Sequence, residues 1–285
     1  VTGLFVDLTD AGRRALIASD SLGYTLAGAS HEPIGFCNKV IALPQWRAAW
    51  LGVGLYEIQC RVGAELMQRP ELLLFDEVIG ELPGLIREEV AFTAGRRGVD
   101  ASATMLFAGC FVGWDEAARE FAAVLFEGPG FAPQRVTTPL YGSPNVPLAY
   151  LPAGFTGMTP ELRAVAAMRS IRKFTEEHGD ELGLPPIGGE IVVSELAPDR
   201  VSSRAAGRFE DFASTCEAIE RTRAAIAADP AAYVGVGLAH KFETRAAAER
   251  RVEAIFREAR GVPDALTRAE RRRAERNARR AGRAA

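Results

Sequence analysis

The chain has 285 residues, 48% of them hydrophobic and 25% charged, with a formal net charge of −3; this is enough apolar content for a sizeable core and excludes a fibrous or disordered chain. No apolar run reaches the roughly 18 residues of a membrane helix, and four cysteines without CxxC spacing and three scattered histidines give no zinc-ligand pattern. Reduced thiols and the absence of a signal-peptide pattern lead to the expectation of a cytoplasmic protein that uses no metal and no cofactor.

In chain order, VTGLFVDLTDAGRRALIASDS reads as a β-hairpin, with strands expected over 3–8 and 14–20 on either side of the turn TDAGRR. A glycine-spotted connection, LGYTLAGASHEPIGF, precedes the short strand CNKVIAL and the apolar strand AAWLGVGL. The helical spacing of Ile58, Val62 and Leu66 predicts a helix over 55–68. A second is expected over 75–96, with Val78, Leu82, Leu85, Ile86 and Val90 inward and Pro83-Gly84 weakening its middle.

The next block is rich in strands: ATMLFAGCFVGWD, EFAAVLFEG and APQRVTTPLYG read as consecutive antiparallel strands. A proline-rich loop follows, and then a helix over 159–178, capped by Thr159 with Pro160 in its first turn and carrying the stripe Leu162, Val165, Met168, Ile171 and Phe174. A strand over Glu190 to Leu196 closes the block. Beyond residue 202 the composition turns helical, with helices expected over 208–228 and 242–260.

Several of these segments, in this order, resemble the proteasome-type N-terminal-nucleophile hydrolases. ALIASDS is similar to the family's second strand and matches its acid with Asp20, while NKVIAL is similar to the strand that carries its lysine, here Lys39. WLGVGLYEIQCRV resembles the small-residue turn whose amides, here at Gly52, Val53 and Gly54, form the oxyanion hole. LYGS places Ser143 at a supporting serine, and FVGWDE and PIGGEIVVSEL resemble later turns of the fold. The chain departs from the pattern at Leu184 and Ile187, where an acid and a hydroxyl commonly stand.

The resemblance implies an α+β fold, a four-layer αββα sandwich over residues 2–201; the last part of the chain has no counterpart in it, and composition alone leads to the expectation of a helical extension over 202–262 and an Arg-rich tail over 263–285. It implies a threonine-type peptidase or amidohydrolase acting on peptide or amide substrates, with Thr2 as nucleophile once the initiator residue is removed. In that mechanism the free α-amine of Thr2 serves as base, Lys39 lowers the proton affinity around it, and Asp20 holds Lys39. The rival expectation is a non-catalytic scaffold or assembly subunit of the same fold. Residues 266–285 hold eight arginines against Glu270 and Glu275, leaving the rest of the chain acidic. With no aromatics between the arginines, docking on a sister subunit in a homo-oligomer is expected ahead of phosphate contact with nucleic acid.

Overall fold

Strands β1 (Leu4–Asp7) and β2 (Ala15–Asp20) are apolar almost to their C-terminal ends because both faces of each are covered. The computed structural model describes residues 3–10, 12–27, 30–97, 107–128, 130–143, 146, 150–182 and 187–230. All lie in one unit, Val1–Gly237. Thr2, the helix expected over 242–260 and the Arg-rich tail fall outside the described residues.

The hairpin forms as its alternation predicts, β1 pairing antiparallel with β2 from Leu4↔Ser19 to Asp7↔Leu16. Strands β10 (Leu140–Ser143), β11 (Glu190–Ala197) and β12 (Arg200–Arg208) complete a five-stranded sheet in the order β10-β1-β2-β11-β12. A second sheet runs β5 (Val40–Leu43), β6 (Ala48–Gly54), β7 (Phe107–Asp115), β8 (Glu120–Phe126) and β9 (Pro133–Arg135). Between Asp20 and Lys39 the chain makes a two-stranded ribbon, β3 (Leu22–Ala27) and β4 (Ser30–Phe36).

Three apolar clusters follow from the alternation of side chains along these strands. Trp50, Phe111 and Phe126 face helices α1 (Tyr56–Met67) and α2 (Phe75–Arg97), against Ile58, Val62, Leu82, Leu85 and Ile86. The alternate residues Ala49, Leu51, Cys110 and Val112 meet Leu4, Val6 and Ile17 of the first sheet. That sheet's other face sets Phe5, Leu16 and Ala18 against Met168 and Ile171 of α3 (Pro160–Leu182). No helix among the described residues is long and apolar enough to cross a membrane.

The expected four-layer sandwich of the N-terminal-nucleophile type is corrected by these elements: the chain is a mixed α+β fold with three antiparallel sheets and four α-helices among the described residues. The reason lies in the segment after Asp20, which pairs with itself as the β3–β4 ribbon and offers a surface to α4 (Phe212–Ala228). There Phe36 stacks on Phe212 at 5.1 Å between centroids, and Arg223 donates to the Ile34 carbonyl at 3.2 Å.

Smaller departures have local causes. APQRVTTPLYG is split between two sheets, its first part pairing with β8 and its last with β1. Helix α2 continues through Pro83, held down by buried Leu82, Leu85 and Ile86. On α3 the buried face is rotated from the expected stripe: Leu162 is 59% exposed, while Arg163 is buried because its Nε donates to Asp7 at 2.8 Å. The four cysteines are unpaired, with Cys110 buried and the others half-buried.

Asp115 closes the turn from β7 to β8, its Oδ1 accepting from the amides of Ala117 and Ala118 at 2.9 and 3.0 Å and its Oδ2 from Arg135. Burial pushes this carboxyl up, but the two amides and the guanidinium outweigh it and hold the group below the usual aspartate range. Its stabilisation is therefore complete above the unfolded value and is lost as pH falls through the lower folded one. Asp115→Asn should cost about 1–2 kcal/mol in denaturant unfolding at neutral pH. The deficit should shrink below about pH 4.

Candidate functional site

Strand β2 ends at Asp20 and β5 begins just after Lys39, so the two residues close the base of the β3–β4 ribbon from opposite sheets. Their side chains meet there: Lys39 Nζ donates to Asp20 Oδ1 and Oδ2, each at 2.9 Å. Asp20 is 0% and Lys39 5% exposed. A pair this buried persists because the carboxylate finds further donors. Oδ1 also accepts from the amide of Gly3 at 2.9 Å, and the amide of Gly188 approaches Oδ2 at 3.5 Å.

Gly3 is fixed from both sides. The Asp20 amide donates to its carbonyl at 3.3 Å, and a Cβ at this position would stand 2.8 Å from Met168 and 2.9 Å from Ile187. Any larger residue there would have to displace the ends of those two side chains. The residue before Gly3 in sequence is Thr2, which lies outside the described residues. The carboxylate that binds Lys39 therefore also binds the first amide after Thr2.

Lys39 is anchored through its backbone as well. Its carbonyl accepts from Gln59 Nε2 at 2.6 Å, and Gln59, buried on α1, receives the Trp50 indole N–H on its own carbonyl at 3.1 Å. Tyr56 OH donates to the Asn38 carbonyl at 3.1 Å. Helix α1 thus sets the height at which Lys39 enters the site. Around it, burial pushes the Cys60 thiol up to about 11 and raises the Tyr56 phenol. Burial also raises Cys37, against the opposing pull of Lys39. These groups are neutral near pH 7, which leaves Asp20 as the anion facing the ammonium.

The other expected site residues are placed as follows. Gly52, Val53 and Gly54 end β6 and pair with Gly109, Ala108 and Phe107 of β7. The β5 pairing stops at Val40↔Leu51, so their opposite backbone edge continues toward the Lys39 segment. Gly52 has a packing role too, since a Cβ there would come within 2.3 Å of the Phe107 ring. Ser143 ends β10 opposite Leu4. Among the described residues no hydrogen bond joins Ser143 or Gly52–Gly54 to Asp20 or Lys39, and no cluster of His, Cys, Asp and Glu is arranged to hold a metal.

Sequence reasoning missed Gln59, which is buried on α1, and Ser19, whose hydroxyl is buried without a partner among the described residues. No signal marked the second: a serine inside an apolar strand reads as tolerated.

No family model matches the chain, and no curated protein matches it. An Anbu (Gly-1) mutant from Hyphomicrobium sp. strain MC1 is a structural neighbour, with a TM-score of 0.45 at 13% identity, covering 80% of this chain and 95% of that one. A likeness at that level assigns no family, and the membership implied by the ordered motifs is corrected accordingly. The physical reason is that ALIAS, VIAL and LGVG are short apolar strings, which burial of a strand on both faces produces without common descent.

Removing one partner of the buried pair strands the other's charge. Lys39→Met should therefore lower the unfolding free energy by about 3–5 kcal/mol, and Asp20→Asn combined with Lys39→Met should recover a large part of the loss. Urea unfolding of the two single variants and the double variant measures both terms.

Proposed function

We propose that this chain is a hydrolase of peptide or amide bonds whose nucleophile is the Thr2 hydroxyl, acting once residue 2 is the free N-terminus. The observation that carries this reading is the buried Asp20–Lys39 pair, whose carboxylate also accepts the amide hydrogen bond from Gly3. A hydroxyl is a weak nucleophile and needs a base within reach. The α-amine of a terminal threonine is such a base, with a reference pKa of about 7.7–8.0 that needs little adjustment.

In the proposed reaction the amine takes the Oγ1 proton, and the oxygen attacks the substrate carbonyl. The negative charge that develops on Oγ1 as it loses its proton is stabilised by the Lys39 ammonium, which Asp20 keeps in place. Amides of the Gly52–Gly54 stretch are assigned to the oxyanion of the tetrahedral intermediate, where one donor is typically worth about 2.7–4 kcal/mol. Collapse breaks the amide bond, and the ammonium of residue 2 returns its proton to the leaving nitrogen. Water, deprotonated by the same amine, then hydrolyses the ester. Ser143 has a supporting part in this reading through the Leu4 position it flanks.

The test uses the full chain released from a cleavable N-terminal fusion so that it begins at Thr2. An electrophile selective for N-terminal threonine should add once per chain by intact mass. Thr2→Ala should abolish the adduct, as should retention of a residue ahead of Thr2. Lys39→Arg, which keeps the charge in a different shape, should slow it by about 100-fold, the lower end of what a positioned acid–base group supplies. Labelling that survives in Thr2→Ala would put the nucleophile elsewhere, and no labelling of the parent chain would leave the ion pair a purely structural clamp.

A further inference from the structure

Six large apolar side chains stand exposed among the described residues: Phe36, Tyr56, Met67, Leu73, Leu74 and Leu162. Three of them are accounted for singly. Phe36 stacks on Phe212, and Tyr56 reaches the Asn38 carbonyl through its hydroxyl. Leu162 stands alone, as apolar residues on a protein surface commonly do. Met67, Leu73 and Leu74 instead fall close together, where the chain passes from α1 to α2, and are 52, 71 and 50% exposed.

This connection is tightly bonded. The Trp46 indole donates to the Leu72 carbonyl at 2.6 Å, and the Leu72 amide donates to the Arg69 carbonyl at 3.2 Å. Glu77 Oε2 accepts from the amides of Leu73 and Leu74 at 2.8 and 3.1 Å, and Glu116 Oε2 accepts from that of Phe75 at 3.1 Å. Every amide from Leu72 to Phe75 is therefore bonded. Arg69, 2% exposed, ties the same stretch to Glu81. The stretch cannot turn Leu73 and Leu74 inward without giving up these bonds. Serine or glutamine at either place would keep all of them and spare the exposed apolar surface. The two leucines are thus held outward, and a surface already ordered loses little conformational entropy on binding.

The charge around them selects the partner. Residues 67–81 carry Glu71, Asp76, Glu77 and Glu81 against Arg69 alone, and Arg69 is buried. An acidic segment or an anionic membrane would be repelled here. We infer that the α1–α2 connection is a docking surface for a basic amphipathic helix of another protein, its apolar stripe packing on Leu73 and Leu74 and its Lys or Arg flanks facing Glu71 and Asp76. Apolar contact supplies most of the binding, and the acids set the sign of the partner's charge. The surface is independent of Thr2 and of the Asp20–Lys39 pair.

The probe is a fluorescein-labelled synthetic peptide of about 20 residues, with leucines at helical spacing and lysines on the remaining face. Its counterpart carries glutamate at each lysine position, and fluorescence anisotropy against the full chain reads both. The parent chain should bind the lysine peptide about tenfold more tightly than the glutamate peptide, and about 0.5 M salt should remove most of that difference. Leu73→Ser combined with Leu74→Ser should weaken binding about tenfold, as loss of a central anchor does. Its thermal midpoint should be unchanged, because neither side chain is buried. Glu71→Gln combined with Asp76→Asn leaves the bonds of Glu77 and Glu116 in place and should reduce the preference for lysine over glutamate. This second variant carries the test if the leucine variant fails to fold. Equal binding of the two peptides, binding of neither, or binding that no variant changes overturns the inference. Sedimentation of the parent chain alone covers the remaining occupant: self-association that disappears in the leucine variant gives this face to a second copy and overturns it as well.

Discussion

The bond between Lys39 and Asp20 joins the end of one five-stranded sheet to the start of the other, and much of the local geometry follows from making it affordable in a dry interior. The carboxylate is supplied with a further donor, the Gly3 amide, and the lysine is held through its backbone by Gln59, itself fixed by the indole of Trp50. Because Trp50 also anchors the cluster under α1 and α2, the position of a charged group is tied to the packing of the largest side chain in the core. Site and core are mechanically one object.

That coupling separates what a glycine means from what it resembles. Gly52 sits where a backbone donor for an oxyanion is proposed, but the ring of Phe107 alone already forbids a side chain there. At Gly3 a Cβ would press on the ends of the Met168 and Ile187 side chains, independent of any chemistry at its amide. A small residue near a charged pair thus has two sufficient causes, and only the packing cause can be read from coordinates without reference to a substrate.

The sequence carried the strands whose apolar runs are continuous. β1, β2, β5, β6, β7 and β8 were legible because burial leaves apolar runs, whereas the juxtaposition of Asp20 with Lys39 was expected only through the family resemblance and not from the residues alone. The ribbon was not legible, because Gly23, Pro33 and Gly35 interrupt its alternation and its pairing is decided by α4 more than 170 residues later. β12 was hidden for a different reason: as an exposed edge strand of Ser, Arg and Ala it has the composition of a loop. The rotated face of α3 depended on Arg163 finding Asp7, a pairing across 156 positions that local periodicity does not contain. The family resemblance erred in the same way, since it compared strings that double burial imposes on many unrelated sheets.

The ribbon leaves the body at Leu22 and returns at Phe36, which pair directly with each other beside the ion pair. Both ends of this excursion are clamped, by the Leu22↔Phe36 rung and by Lys39 on Asp20, so its length is decoupled from the geometry beneath it. Lengthening a loop whose ends are already held costs only about 0.6 kcal/mol per doubling. The connection from Ala27 to Ser30, remote in the ribbon from Ile34 and Phe36 where α4 is bound, is consequently where insertions, deletions or a grafted epitope would be absorbed with the least disturbance to Asp20 and Lys39.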